Sequence, residues 1–162
     1  METTNRTSGF SLAESLIAIV SLGIIVLAIF AAILAGQTQM YEAAHAQRAI
    51  SLAEELTESI MALPYNDPDG PSAPGPELGE ATVADFDNAD DFHGYVEPAG
   101  ELADAAGQPY DDEFQLFSRE VTAEYGSETV PGLGGAQPGL AITVTVTDQR
   151  GRSWNLTRFI PE

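Results

Sequence analysis

The sequence contains no cysteine and no lysine. The first absence excludes disulfide frameworks, thiolate zinc sites and cysteine nucleophiles. The second leaves six arginines as the only basic side chains apart from histidine, against 25 acidic residues, for a formal charge of −19. A chain this acidic is repelled by phosphate backbones, which argues against nucleic-acid binding through a basic face. Histidine is scarce too: His45 and His93 are the only two, far apart in the chain. His45 falls among Ala and Gln on a helical stretch, where a surface position is expected, and His93 falls in an acidic loop with no nucleophile beside it. The serines and aspartates form no nucleophile-elbow or triad pattern. Gly132, Gly134 and Gly135 read as a flexible hairpin connection, with no phosphate-binding pattern after them. The expectation is a protein that is not an enzyme.

Charge is also missing locally. Residues 16–35, LIAIVSLGIIVLAIFAAILA, carry none. At about 1.5 Å per residue a helix of that length spans about 30 Å, the thickness of a bilayer's hydrocarbon core. An ordinary secretory signal has a basic start, a shorter apolar core and a small-residue cleavage site behind it. This run is longer, and a carboxylate, Glu14, lies just before it. Cleavage after Ile33-Leu34-Ala35 is the minor alternative, and a plain single-pass anchor the stronger one. An anchor alone, however, needs no particular residues upstream.

Those residues are present. Ser8 to Leu16 read SGFSLAESL, with Gly9 directly before Phe10 and Glu14 fifth when counted from Phe10. In this the chain resembles the type IV prepilin and pseudopilin family. The resemblance implies that a membrane prepilin peptidase cuts between Gly9 and Phe10 and that the new α-amine of Phe10 is methylated. It also implies that Glu14 directs filament assembly by pairing with the amine of a neighbouring subunit. Glycine before the scissile bond leaves the backbone open to a peptidase. A carboxylate near an apolar helix is costly without a partner, and cleavage creates one. The competing reading is that Glu14 only complements the positive end of the helix. Gly23 also matches the family, whereas the Pro common in major pilins is absent around Phe30-Ala31-Ala32, which leans toward a minor pilin or pseudopilin. The leader, residues 1–9, is short and polar, with Arg6 favouring a cytoplasmic N-terminus.

Beyond the membrane half of the helix (10–36), residues 37–63 hold no Pro or Gly and abound in helix formers. Ala49, Ala53, Leu56, Ile60 and Leu63 recur at three- and four-residue steps, an amphipathic stripe that Pro64 ends. The segment LAEELTESIMALPY is similar to the corresponding part of PilV-like and MshD-like minor pilins. Residues 64–112 follow as an acidic loop region that opens with Pro and Gly at high density. Within it Asp85, Asp87, Asp90 and Asp91 are the candidate calcium ligands, closely spaced oxygen donors that nonetheless miss the EF-hand spacing. Solvated acidic surface is the competing reading, and no other cofactor is implied.

The last part, 113–162, is strand-like. Alternation over Phe114–Tyr125, Leu140–Thr147 and Trp154–Ile160, with a turn at Asp148-Gln149-Arg150-Gly151, predicts three antiparallel strands. The expected fold is α+β and pilin-like, a long N-terminal helix on a small C-terminal antiparallel sheet. The expected function is a structural, minor-pilin-like subunit of a type IV pilus or related filament. Its implied partners are prepilin peptidase, other pilin or pseudopilin subunits, and an inner-membrane assembly platform. The alternatives are a type II secretion pseudopilin and an anchored binding module that never polymerises. The expected location is the cytoplasmic membrane, crossed once with the C-terminal domain outside, then a surface or periplasmic filament.

Overall fold

A computed structural model describes residues 11–65, 67, 73–104, 106–129, 132 and 134–162. Gly9, Phe10 and the rest of the expected leader lie outside the described residues. The chain divides into two units, Met1–Ala44 and His45–Glu162. One helix, α1 (Leu12–Met61), contributes to both.

In the first unit α1 starts four residues before the apolar run. Ser11 is the reason. Its Oγ accepts the Glu14 N–H at 3.2 Å, while its carbonyl accepts the N–H groups of Glu14 at 3.0 Å and Ser15 at 3.1 Å. The Ser-x-x-Glu spacing is that of a capping box, and Ser11 satisfies amide donors that the helix itself leaves open. Every residue from 11 to 35 is exposed. The helix is long and apolar enough to cross a membrane, and its most apolar window is 0% buried. The Thr38 hydroxyl donates to the Leu34 carbonyl at 3.0 Å, so the first polar side chain with a hydroxyl past the apolar run folds back onto the helix.

In the second unit the remainder of α1 becomes core. His45, Ala49, Leu52, Ala53, Leu56, Thr57 and Ile60 are buried, at the three- and four-residue spacing that aligns one helix face. Against them lies a four-stranded antiparallel sheet in the order β1 (Val96–Glu97), β2 (Phe117–Thr129), β3 (Ala136–Asp148), β4 (Ser153–Pro161). The β2–β3 register runs from Phe117 opposite Asp148 to Thr129 opposite Ala136, and the β3–β4 register from Gly139 opposite Pro161 to Thr147 opposite Ser153. Strict alternation sends Phe117, Val121 and Ala123 of β2 and Leu140, Ile142, Val144 and Val146 of β3 inward, where they join the helix stripe in one core. Each fully buried Leu, Ile, Val or Phe contributes about 1.5–3 kcal/mol relative to exposure.

This is the α+β order expected, with four differences in detail. Strand β2 begins three residues later than Phe114, because the Phe114 carbonyl still accepts the Phe117 N–H in a turn at 3.1 Å. It continues past Tyr125 through Gly126 and Ser127, poor strand formers, because β3 offers a full ladder from Ala136 onward. The loop region 64–112 holds a short 3-10 helix, Asp90–Phe92, and the edge strand β1. Finally, His45 is not a surface residue: it is 6% exposed, its Nε2 lies 3.0 Å from Asp148 Oδ2, and its ring stacks against Phe117 at 4.5 Å.

Candidate functional site: a carboxylate cluster in the loop before the sheet

The loop that carries the acidic residues is tied down by aromatic packing and borrowed hydrogen bonds. Phe86, Phe92 and Tyr95 meet edge-to-face, with ring centroids 5.0 Å, 5.5 Å and 6.4 Å apart. Gly94 donates its N–H to the Val121 carbonyl, Val121 returns one to Tyr95, each at 3.0 Å, and Ala123 donates its N–H to His93 Nδ1 at 3.1 Å. By accepting that bond, His93 holds the loop to β2.

Anchoring the loop in this way buries Asn88, Asp90 and Asp91 completely. Asp91 Oδ2 accepts the N–H groups of Asp87 at 2.9 Å and Asn88 at 3.0 Å, and Asn88 Oδ1 accepts those of Asp90 at 2.9 Å and Asp91 at 3.2 Å. These reciprocal caps build the 3-10 turn. Asp90 Oδ2 accepts the Tyr125 hydroxyl. Burial raises the Asp90 carboxyl above its ordinary range despite that bond, and the nearby charges of Asp91 and Glu77 push the same way. Burial likewise raises the Tyr125 phenol, as does its bond to Asp90. Three buried polar atoms here have no partner at hydrogen-bond distance among the described residues: Asp90 Oδ1, Asp91 Oδ1 and Asn88 Nδ2. Buried polar groups are satisfied in the great majority of cases, so three orphans in one turn mark an unusual site.

Two further carboxylates reach Asp91 from upstream. The Glu77 N–H donates to Glu80 Oε2 at 2.8 Å and the Glu80 N–H to the Glu77 carbonyl at 3.2 Å, a turn closed through Gly79 at φ +123°. Only glycine adopts that angle without strain. Carboxylate oxygens of Glu77, Glu80 and Asp91 all lie within 4.8 Å of one another. The Glu77 amide bond draws the Glu80 carboxyl down, but partial desolvation and the neighbouring Glu77 and Asp91 leave it raised overall.

The four aspartates read from the sequence as candidate calcium ligands are not assembled into one site. Asp85 is exposed and occupied locally, its Oδ2 accepting the Thr82 N–H at 3.0 Å and hydroxyl at 2.8 Å. Asp87 is exposed, and Asp90 turns to Tyr125. Asp91 alone joins the cluster, with Glu77 and Glu80, which sit in the Pro/Gly-rich stretch and carry no spacing signal. Nor is the run solvated surface throughout, since Asp90 and Asp91 are 0% exposed.

Two other polar constellations hold the sheet domain together. Asp148 receives Arg152 Nε at 2.8 Å and His45 Nε2 at 3.0 Å on Oδ2, and the N–H groups of Arg150 and Arg152 at 2.9 Å on Oδ1. Burial favours the protonated acid, but these bonds outweigh it and hold the carboxyl well below the usual range. Beside a cavity of about 220 Å³ lined by Leu56, Phe86, Phe92 and Tyr95 stands Arg119, which is 3% exposed. Its guanidinium bonds Glu97, the Ala103 carbonyl at 2.9 Å and the Leu52 carbonyl at 3.4 Å, and lies over the Tyr110 ring. That charge is saturated from within, which makes it a strut between helix and sheet. Glu14 is exposed in the first turn of α1, where a carboxylate also complements the helix dipole.

No protein-family model, curated protein or solved structure matches this chain.

Proposed function

We propose that this chain is a prepilin-type structural subunit, minor-pilin-like, of a type IV pilus or a related filament. The observation that carries the reading is the division of labour along α1. Over residues 16–35 the helix is apolar and exposed on every side, whereas from His45 onward it is the core element of a folded sheet domain. An exposed apolar surface on all sides requires lipid or the apolar helices of other subunits. The SGFSLAESL segment supports the second of these uses, because an anchor alone requires neither Gly9-Phe10 nor Glu14.

In this reading prepilin peptidase removes residues 1–9 and the α-amine of Phe10 is methylated. Glu14 then pairs with that amine on a neighbouring subunit, which sets the axial register between helices, a well-attested use of a buried ion pair. The subunit waits in the cytoplasmic membrane with the sheet domain outside, until an assembly platform exchanges its lipid contacts for helix contacts. Intact mass of the membrane-extracted protein, expressed with and without a prepilin peptidase, tests this. Loss of residues 1–9 plus gain of one methyl group, only with the peptidase present, is the expected result. An uncut chain makes it an anchored binding module, and a cut near Ala35 makes it a secreted one. If it is processed, co-expression with a pilus or a type II secretion assembly system separates pilus subunit from pseudopilin by which one incorporates it.

A further inference from the structure

We propose that Glu77, Glu80 and Asp91 form a calcium site that locks the acidic loop in front of the sheet. The inference stands apart from the filament reading, because it uses only the sheet domain. Three observations meet here. Carboxylate oxygens of the three residues lie within 4.8 Å of one another. Oxygens that share a calcium ion at 2.3–2.6 Å are separated by at most about 4.6–5.2 Å, a condition that each of the three pairs meets. Asp91 is fully buried, and its Oδ2 is taken by the Asp87 and Asn88 amides while Oδ1 has no partner among the described residues. A buried carboxylate with one oxygen committed and the other open has a free ligand position, and an oxygen-only donor set selects a hard cation over zinc or copper.

The local fold explains why the three converge although Glu80 and Asp91 are eleven residues apart. The Glu77–Glu80 turn, closed through Gly79, brings two carboxylates together from one side. The Asn88–Asp91 caps fix the third from the other, and the Phe86–Phe92–Tyr95 packing holds the segment that carries it. Calcium takes six to eight oxygens, so three carboxylates leave positions for water and resemble the sites of extracellular modules, with Kd on the order of 10⁻⁴–10⁻³ M. Magnesium, which demands near-ideal octahedral geometry at about 2.0–2.1 Å, fits such an open set poorly.

The test is calorimetric titration of CaCl₂ into the full-length protein in detergent after EGTA treatment, with thermal unfolding followed in parallel. One equivalent of saturable binding and a calcium-dependent rise in unfolding temperature are expected. The double variant Glu77→Gln/Glu80→Gln keeps the side-chain size and the amide acceptor on residue 80, and is expected to bind at least tenfold more weakly. Asp85→Asn, an acidic control in the same loop, is expected to bind within twofold of the parent. Absence of saturable binding up to about 10 mM, tenfold above that range, overturns the proposal. So does a double variant that binds like the parent, or an Asp85→Asn variant weakened as much as the double variant, since either makes the attraction diffuse. Magnesium binding as tight as calcium overturns the assignment to calcium.

Discussion

Residues 16–35 and 45–60 belong to one continuous helix, and both are rich in apolar side chains. In the first stretch apolar side chains, including a run of Ile and Val, surround the axis and all are exposed. In the second, small and medium residues form a stripe, with Glu54 and Glu58 exposed off it, and the stripe is buried under the sheet. Backbone hydrogen bonding is the same in both. On the function proposed above, what differs is the solvent each was composed for: lipid or other helices in one case, a β-sheet of the same chain in the other. Substitutions that disturb one surface should leave the other untouched, and that independence can be attacked directly.

The largest effect is expected at Asp148. Replacing it by Ala takes the buried carboxylate away from His45 and Arg152 and removes the one oxygen that accepts two amides of the β3–β4 turn. Breaking a buried pair of this kind costs about 3–5 kcal/mol. Chemical denaturation followed through Trp154 fluorescence should report that loss in the sheet domain, with membrane insertion unchanged. The pH dependence has a definite sign. The carboxyl is held below its unfolded value, so its contribution is fully present above about pH 4. It is lost as pH falls from there toward the folded value, so the gap between parent and variant should narrow on acidification. A gap independent of pH down to acid denaturation would remove the ionised carboxylate from the explanation.

The converse experiment places one charge at the centre of the exposed stretch. Ile25→Arg should shift insertion by about 2.5–3.5 kcal/mol toward the uninserted state. A glycosylation-site insertion assay reads this, while the denaturation midpoint of the sheet domain stays at the parent value. A variant that inserts like the parent would mean that this face does not meet lipid.

Gly139 and Gly126, direct cross-strand partners, give a smaller and more local contrast. A Cβ on Gly139 would stand 2.2 Å from the Ile160 carbonyl oxygen and 2.5 Å from the Phe159 ring, whereas one on Gly126 meets nothing within 4 Å. Gly139→Ala should therefore cost about 1–3 kcal/mol through overpacking, and Gly126→Ala should stay within about 0.5 kcal/mol of the parent. Equal effects at the two would show that β3 and β4 do not approach as closely at Phe159.

How much of this was legible in the sequence depends on the range of the interaction. The helix stripe was readable because Ala49, Ala53, Leu56 and Ile60 are set by a local period, and Pro64 marks the end. The β3 alternation, LAITVTVT, was readable for the same reason. What escaped depends on partners distant in sequence. His45 looks like a surface residue until Asp148, 103 positions away, is placed against it. Glu77 and Glu80 look like loop decoration until the Asn88 turn delivers Asp91 to them. Asp85, Asp87, Asp90 and Asp91 were grouped by proximity along the chain, and that is a poor guide on a loop whose side chains cap their own backbone. Ser11 is the exception, since its Ser-x-x-Glu spacing is local and sits in plain view beside the motif that drew attention to Glu14.

The smallest predicted effect belongs to that residue. Ser11→Ala removes the Oγ acceptor of the Glu14 amide and should cost about 0.5–2 kcal/mol of local helix stability. Hydrogen exchange at the Glu14 and Ser15 amides should speed up, with the sheet domain unaffected. Under the processing proposed above, Ser11 becomes the second residue of the mature chain. The positive amine of Phe10 then stands next to the positive end of the helix, a like-charge arrangement that Glu14 offsets in part. Ser11→Ala should therefore raise exchange at these amides more in the processed protein than in the uncut precursor. Equal acceleration in both would indicate that the new amine lies outside the field of the first turn, and would leave Glu14 with a dipole-complementing role that cleavage does not alter.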